Sequence, residues 1–308
     1  MTGIKFFRSG KIKMEGGQGT NMHKWVLAPF IVLVLITPLA AWAGRAIPSD
    51  NLAYPVLISF DTGSKGSGFY LSTGTGVYLV TSAHVLFEEA SGNLRGKQVD
   101  LLSYSKNPKE TGKNIMRLAL PALSADKRIR KHSAEDVAII YVADVKGGSG
   151  TDSRILRTVS GATLIEKTPS GILSVSLENV KPFDKVWTAN TIYMFGYPTS
   201  LSIKRDPQID PLLPLLRLGI IAGTNPARKT IILDCPSYPG NSGGPVLEVE
   251  KVDLVNLRFH VIGVVSQSVP FAETLVDLTR NNRSLGISNS GYTVAVSMDP
   301  VLELIGTP

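Results

Sequence analysis

Pro239-Gly240-Asn241-Ser242-Gly243-Gly244-Pro245 is the stretch around which this 308-residue chain is organised. Glycines at 240, 243 and 244 free the backbone for φ > 0 and keep side chains clear of the Ser242 hydroxyl. Successive N–H groups in such a turn can point inward together, forming a concavity that favours negative charge. A hydroxyl beside such a nest is what acyl transfer requires: one group attacks a carbonyl, the other holds the oxyanion. The plainer alternative is a Gly-rich turn with a solvated serine. The choice depends on whether the rest of the chain supplies partners.

A serine hydroxyl needs a base to take its proton. The chain has four histidines, His23, His84, His132 and His260. His84 ends Thr81-Ser82-Ala83-His84, where an apolar strand from Tyr78 runs into a small-residue corner. The base in turn needs a carboxylate on its other ring nitrogen to fix the tautomer and stabilise the imidazolium. Asp136 lies where a basic loop enters the apolar run Val137–Ile140. An acid at the edge of a buried strand is costly unless paired, which favours Asp136 over its neighbour Glu135.

In that order, Thr81-Ser82-Ala83-His84, Asp136-Val137-Ala138 and Gly240-Asn241-Ser242-Gly243-Gly244-Pro245 resemble the motifs of the chymotrypsin-fold (trypsin-like) serine peptidases. The closest resemblance is to the disulfide-free bacterial branch that includes the HtrA-type peptidases, and it runs from about Tyr54 to Ile305. It implies catalytic roles for His84, Asp136 and Ser242, an oxyanion hole made by the Gly240 and Ser242 amides, and a polypeptide substrate with no cofactor. Gly263-Val264-Val265-Ser266 resembles the strand that pairs with the substrate backbone, with Ser266 near the catalytic aspartate. That is β-augmentation, an extended peptide added to a sheet edge. Phe195-Gly196-Tyr197-Pro198 matches a structural turn of the bacterial relatives.

The chain departs from the family pattern at several positions. Asn241 stands where zymogen-type relatives carry an aspartate that pairs with a freed N-terminus, so activation by N-terminal insertion is not expected. Pro236 occupies the bottom of the specificity pocket, where trypsins have an acid, so a small or apolar P1 residue is expected instead of Lys or Arg. Ser268 replaces a glycine of the substrate-binding strand. HtrA-type peptidases also carry a peptide-binding PDZ domain after the protease; with the chain ending at Pro308, none is expected here.

Working outward, hydrophobic content of 43% with 19% charged residues is globular, and the length suffices for two small domains. Residues 1–22 are polar and basic. From Trp25 to Ala43 the chain is almost wholly apolar, preceded by Lys24 and ending Ala41-Trp42-Ala43. This is the pattern of a secretory signal peptide, and the expectation is export to a bacterial periplasm or the exterior. Membrane association is expected only if residues 25–43 are retained as an anchor, for which they are just long enough.

The formal charge of +7 falls to +3 once residues 1–43 are set aside. The one dense basic cluster, Lys127–His132, lacks aromatic interleaving, so it reads as a solvated loop, with no nucleic-acid partner. Cys235 is the only cysteine, read as a buried small hydrophobe, and no group of Cys, His and carboxylates has metal-ligand spacing. Nothing in the composition sets an oligomeric state.

Beyond residue 43 the chain reads as short strands between Gly, Ser and Pro turns. One set includes Tyr54–Phe60, Gly68–Leu71, Gly76–Val80, Gln98–Ser103 and Asp136–Val142. A polar link, Lys146–Ser153, leads to Thr191–Phe195, Leu218–Ile221, Thr230–Leu233, Val246–Val249, Phe259–Val265 and Tyr292–Val296. Asp299-Pro300 suits a helix start, with helical spacing to Ile305. The expected fold is all-β: two six-stranded antiparallel barrels, 44–150 and 151–308, and a C-terminal helix, with the site in the cleft between them.

Two rivals stand beside this reading. Gly240-x-Ser242-x-Gly244 also fits the nucleophile elbow of α/β-hydrolases, but Pro245–Glu250 alternates like a strand, and only His260 remains downstream to serve as base. The other is a peptidase fold that binds without cutting, or that is gated by its loops. His260 and Tyr238 read as structural.

Overall fold

The computed structural model describes residues 47–146, 155–199, 206–252, 256–277 and 282–306. The apolar segment 25–43 and most of the 146–153 link lie outside them. Residues 45–308 form one compact unit.

Two curled antiparallel sheets make up this unit. The first contains β1 (Val56–Phe60), β2 (Lys65–Ser72), β3 (Gly76–Thr81), β4 (Gln98–Tyr104), β5 (Lys113–Ala119), β6 (Ile129–Lys131), β7 (Ala138–Lys146), β8 (Ile155–Thr158), β9 (Ala162–Glu166) and β10 (Val175–Ser176). Its main path is β6-β7-β3-β2-β1-β4-β5-β9, with β8 on β7 and β10 parallel to β2. The second is a closed barrel of β11 (Thr191–Gly196), β12 (Leu215–Asn225), β13 (Thr230–Asp234), β14 (Pro245–Lys251), β15 (Leu257–Asp277) and β16 (Asn282–Ser297), in the order β11-β12-β13-β16-β15-β14. Among the described residues, three α-helices accompany the sheets: α1 (Ala83–Leu86), α2 (Leu120–Ala125) and α3 (Asp299–Ile305).

The expected double-barrel architecture is therefore observed, with a fuller first half. The run β7-β3-β2-β1-β4-β5 supplies six strands, and β6, β8, β9 and β10 are short additions. A boundary at 150 cuts this sheet, because β8 pairs with β7 and β9 with β5. The physical reason is that Val159 and Ala162 complete the hydrophobic core of the first half.

Period-two alternation explains how three cores arise from one chain. On β2, Tyr70 points into the first core, while Phe69 and Leu71 point into a second core shared by the two sheets. On β7, Ala138, Ile140 and Val142 face the first core and Ile139 the shared one. The shared core receives Phe195, Leu247, Val261, Val264 and Val296 from the second barrel, and Val301 from α3. Fully burying each such side chain stabilises the fold by about 1.5–3 kcal/mol. The third core, which includes Cys235, fills the second barrel, so the cysteine is the buried hydrophobe expected of it. Gly306, left-handed at φ 84°, caps α3.

Candidate active site

The histidine is placed by a tight corner. A side chain at Gly66 would collide with Val85, 2.5 Å away, so the glycine lets α1 lie directly on β2. Thr81 Oγ1 donates to Ser67 O at 2.7 Å, and Ser82 Oγ reaches across to Val265 O on β15 at 2.6 Å. The two hydroxyls of Thr81-Ser82 thus tie the corner to both sheets immediately before His84.

Asp136 meets His84 twice. Its Oδ2 lies 2.7 Å from His84 Nδ1, and its Oδ1 accepts the His84 backbone N–H at 2.9 Å. Ser266 Oγ donates to Oδ2 at 2.6 Å. Burial pushes the Asp136 carboxyl up, but the hydrogen bond and charge of His84, with the Ser266 hydroxyl, outweigh it and hold the group below its ordinary 3.8. A carboxylate on Nδ1 leaves Nε2 as the basic nitrogen of the imidazole.

The loop before β7 proves more ordered than a solvated basic loop. His132 Nδ1 accepts the Glu135 N–H at 2.9 Å, and its Nε2 faces Glu303 of α3 at 3.2 Å. Arg130 donates to Leu304 O at 2.7 Å. His132 therefore shapes the Ser133–Asp136 turn that presents the carboxylate.

The Ser242 turn is gripped from below by Ser67, a fully buried residue of β2. Its Oγ donates to Gly240 O at 2.7 Å and accepts the Tyr197 N–H at 2.9 Å, while its backbone N–H donates to Ser242 O at 2.9 Å. Thr199 holds the preceding peptide, donating N–H to Pro239 O at 2.7 Å and Oγ1 to the same oxygen at 3.2 Å. A trans peptide directs its N–H opposite to its carbonyl, so this contact turns the Gly240 N–H away from Thr199. Gly240 and Gly243 lie at φ 96° and 86°, and a Cβ on Gly243 would stand 2.0 Å from Ser67 O. Among the described residues neither the Gly240 nor the Ser242 N–H has an acceptor, which leaves both donors free.

The three sequence-selected residues come together in one cleft of about 570 Å³. His84, Asp136 and Ser242 line it with Ser266, Gln267, Ser268, Ser237 and Tyr238. Pro236 is not among its lining residues; the next two residues form that wall instead. Tyr238 lies beneath the Arg217 guanidinium, 4.7 Å from the ring centre. Asn241 is buried, its Oδ1 accepting the Tyr238 N–H at 3.3 Å. Ser242 Oγ donates to Ser266 O at 3.2 Å. His260 sits elsewhere, beside Glu250 at 3.7 Å in a group with Lys181 and Glu248. Ser67, Thr199 and the positioning part of His132 were missed by sequence reasoning. Gly66-Ser67-Gly68, small residues inside a strand, was the one available signal for close backbone approach.

The trypsin-like peptidase domain model matches residues 66–255, a span that includes His84, Asp136 and Ser242. No curated protein matches the chain. Among solved structures, the HtrA-type protease AlgW with a tripeptide is 16% identical with a TM-score of 0.43, over 84% of this chain and 63% of that one. Deg5 is 14% identical with a TM-score of 0.44, over 82% and 88% of the two chains. A thermostable serine protease, AL20 from an extremophilic microorganism, is 13% identical with a TM-score of 0.46, over 83% and 96%. The chain thus spans less than two thirds of the length of AlgW. With the domain model covering more than half of its residues, the chain belongs to the trypsin-like peptidase family.

Proposed function

We propose that the protein is an exported serine endopeptidase acting through His84, Asp136 and Ser242. The supporting observation is the His84–Asp136 pair at 2.7 Å, which shares a cleft with Ser242 and the free Gly240 and Ser242 amides. In this reading the Ser242 hydroxyl turns from Ser266 O to His84 Nε2, gives up its proton and attacks the substrate carbonyl. The two amides hold the oxyanion, each worth about 3 kcal/mol of transition-state stabilisation. The imidazolium, steadied by Asp136, protonates the departing amine and leaves an acyl-enzyme. Water then gives its proton to His84, attacks the ester carbonyl and releases the acid and the serine. The P1 residue is small or apolar, since Ser237 and Tyr238 carry no charge to receive Lys or Arg.

Fluorophosphonate labelling of the full chain tests this, with Ser242→Ala and His84→Ala as controls. Labelling lost in both variants supports the reading; labelling that survives Ser242→Ala refutes it. N-terminal sequencing of the protein recovered outside the cytoplasm tests export, with Gly44 as the expected first residue.

A gated enzyme is the second reading, favoured by the Ser242 hydroxyl donating to Ser266 O instead of His84. That reading expects slow labelling by a small fluorophosphonate and fast labelling by a peptidyl phosphonate whose P1 N–H competes for the same carbonyl.

A further inference from the structure

The last described elements of the second barrel extend well past the cleft. β14 pairs with β15 from Lys251↔Leu257 to Pro245↔Val264. Val265 then exchanges hydrogen bonds with Gly243 and Gly244, and Ser266 O takes the Ser242 hydroxyl. Beyond that point, among the described residues, no strand pairs with this edge of β15. The opposite edge stays paired with β16 as far as Asp277↔Asn282. The outcome is a two-stranded ribbon with an open strand edge that begins inside the cleft.

The ribbon exposes large apolar residues on both sides, with Glu273 between the two on one of them. Directly opposed residues share a face, so the register Phe271↔Ser288 and Leu275↔Ser284 places Phe271 and Leu275 on one side. Thr274↔Leu285 and Ala272↔Ile287 place Leu285 and Ile287 on the other. These four are 51%, 50%, 67% and 68% exposed. A lone two-stranded ribbon gains little stability in water, and a cluster of exposed large apolar side chains marks an interaction site. The base is fastened to the cleft wall by Asn289 Nδ2, which donates to Ser237 O at 2.6 Å, while Ser290 Oγ ties the two strands together there through Val269 O at 2.7 Å.

We propose that the β15–β16 ribbon is a continuation of the substrate track, selecting long, unfolded, apolar polypeptides over short peptides. The proposal rests on the peptidase reading and names its substrate class. A chain that continues the sense of β14 along the open edge runs antiparallel to β15. Its N-terminal side therefore leads from Ser266 towards Pro270 and the ribbon. At about 3.3 Å per residue, Pro270–Asp277 offers roughly 25 Å of further contact. Pro270 has no N–H to offer, so a backbone ladder is interrupted there, and the Phe271 and Leu275 side chains add contact beyond it. The continuity of this edge with the cleft makes a substrate, not a second copy of the chain, the occupant.

The test uses the full chain and two labelled peptides. One is about twelve residues long, enough at ~3.3 Å per residue to reach the ribbon, with Leu or Val at alternate positions; the other keeps only its last four residues. Fluorescence anisotropy on the Ser242→Ala protein reads binding without turnover. Phe271→Ser with Leu275→Ser should weaken binding of the long peptide about tenfold, from the loss of two apolar contacts. In the active protein, the ratio of kcat/KM for long over short peptide should fall by about the same factor. Equal binding by both proteins overturns the proposal, as does an equal loss for the short peptide. A changed sedimentation coefficient with peptide binding intact also overturns it, identifying the ribbon as a contact between copies. Ribbon-dependent binding without any turnover would refute the peptidase reading and leave the docking surface standing, so the two fail separately.

Discussion

Ser67→Ala removes one oxygen and touches neither the nucleophile nor its base. That oxygen donates to Gly240 O at 2.7 Å and accepts from Tyr197 N at 2.9 Å, in a residue with no exposed surface. Alanine leaves one buried acceptor and one buried donor unpaired. At about 1–3 kcal/mol each, with some relaxation of the turn, the expected destabilisation is about 2–4 kcal/mol. The effect on rate is separate. The Ser67 N–H still holds Ser242 O, and Thr199 still holds Pro239 O, so the oxyanion donors lose one tether of three. Full loss of a donor costs about 3 kcal/mol, or a factor above 100 in kcat; partial misplacement of Gly240 should cost about tenfold. KM should barely move, because the strand from Ser266 to Ser268 is untouched. The assay is kcat and KM on a peptide substrate, alongside urea unfolding and the Kd of a peptide boronic acid. The boronate should weaken in step with kcat. A destabilised protein with unchanged kcat and boronate affinity would refute the link from Ser67 to the oxyanion donors.

Lys181 and Glu248 form a buried pair at 2.6 Å, joined by Asn190 on the other carboxylate oxygen. Lys181→Met strands the carboxylate and should cost about 3–5 kcal/mol in urea unfolding, whereas adding Glu248→Leu should recover most of it. A double variant no better than the single would count against the pair. The Asp136 carboxyl lies below its ordinary value in the folded protein, so its contribution is complete above about pH 4 and is lost as pH falls through the folded value. The stability difference between wild type and Asp136→Asn should not shrink from pH 8 to 5 and should fall only below that; shrinkage already by pH 6 would contradict the assignment. Burial pushes the Cys235 thiol up to about 11, so iodoacetamide at pH 8 should leave the folded protein unmodified and label it once urea unfolds it. Labelling of the native state would show the thiol to be accessible.

The site was more legible in the sequence than the sheets around it. His84 and Ser242 sit in short motifs whose small neighbours have direct steric duties: Gly243 has no room for a Cβ, and Ser82 must reach Val265. Asp136 was readable because a carboxylate entering an apolar strand needs a partner. Strands buried on both faces, such as β3 and β7, announce themselves as unbroken apolar runs. β5 escaped notice because its alternation is blurred at one end, where polar Asn114 takes a buried position, accepting the Thr168 N–H, and apolar Ile115 faces outward. The ribbon of β15 and β16 escaped for the opposite reason: with apolar residues exposed on both faces, it carries no inside-out pattern to read. Ser67 shows the remaining limit. Its partners Gly240 and Tyr197 lie 173 and 130 residues away, and no local pattern encodes such a distance.

Those separations also govern when the chain can become dangerous. His84 and Asp136 need only the first sheet to find each other, 52 residues apart. The nucleophile joins them only when contacts spanning 173 and 183 residues have closed, Ser67 with Gly240 and Ser82 with Val265. Contacts of that range form late and slowly. A nascent or half-folded chain therefore carries a base and its carboxylate with nothing to activate. On the proposed peptidase reading, hydrolytic power arrives only with the completed topology, and the appearance of activity in a refolding reaction would time the docking of the two halves.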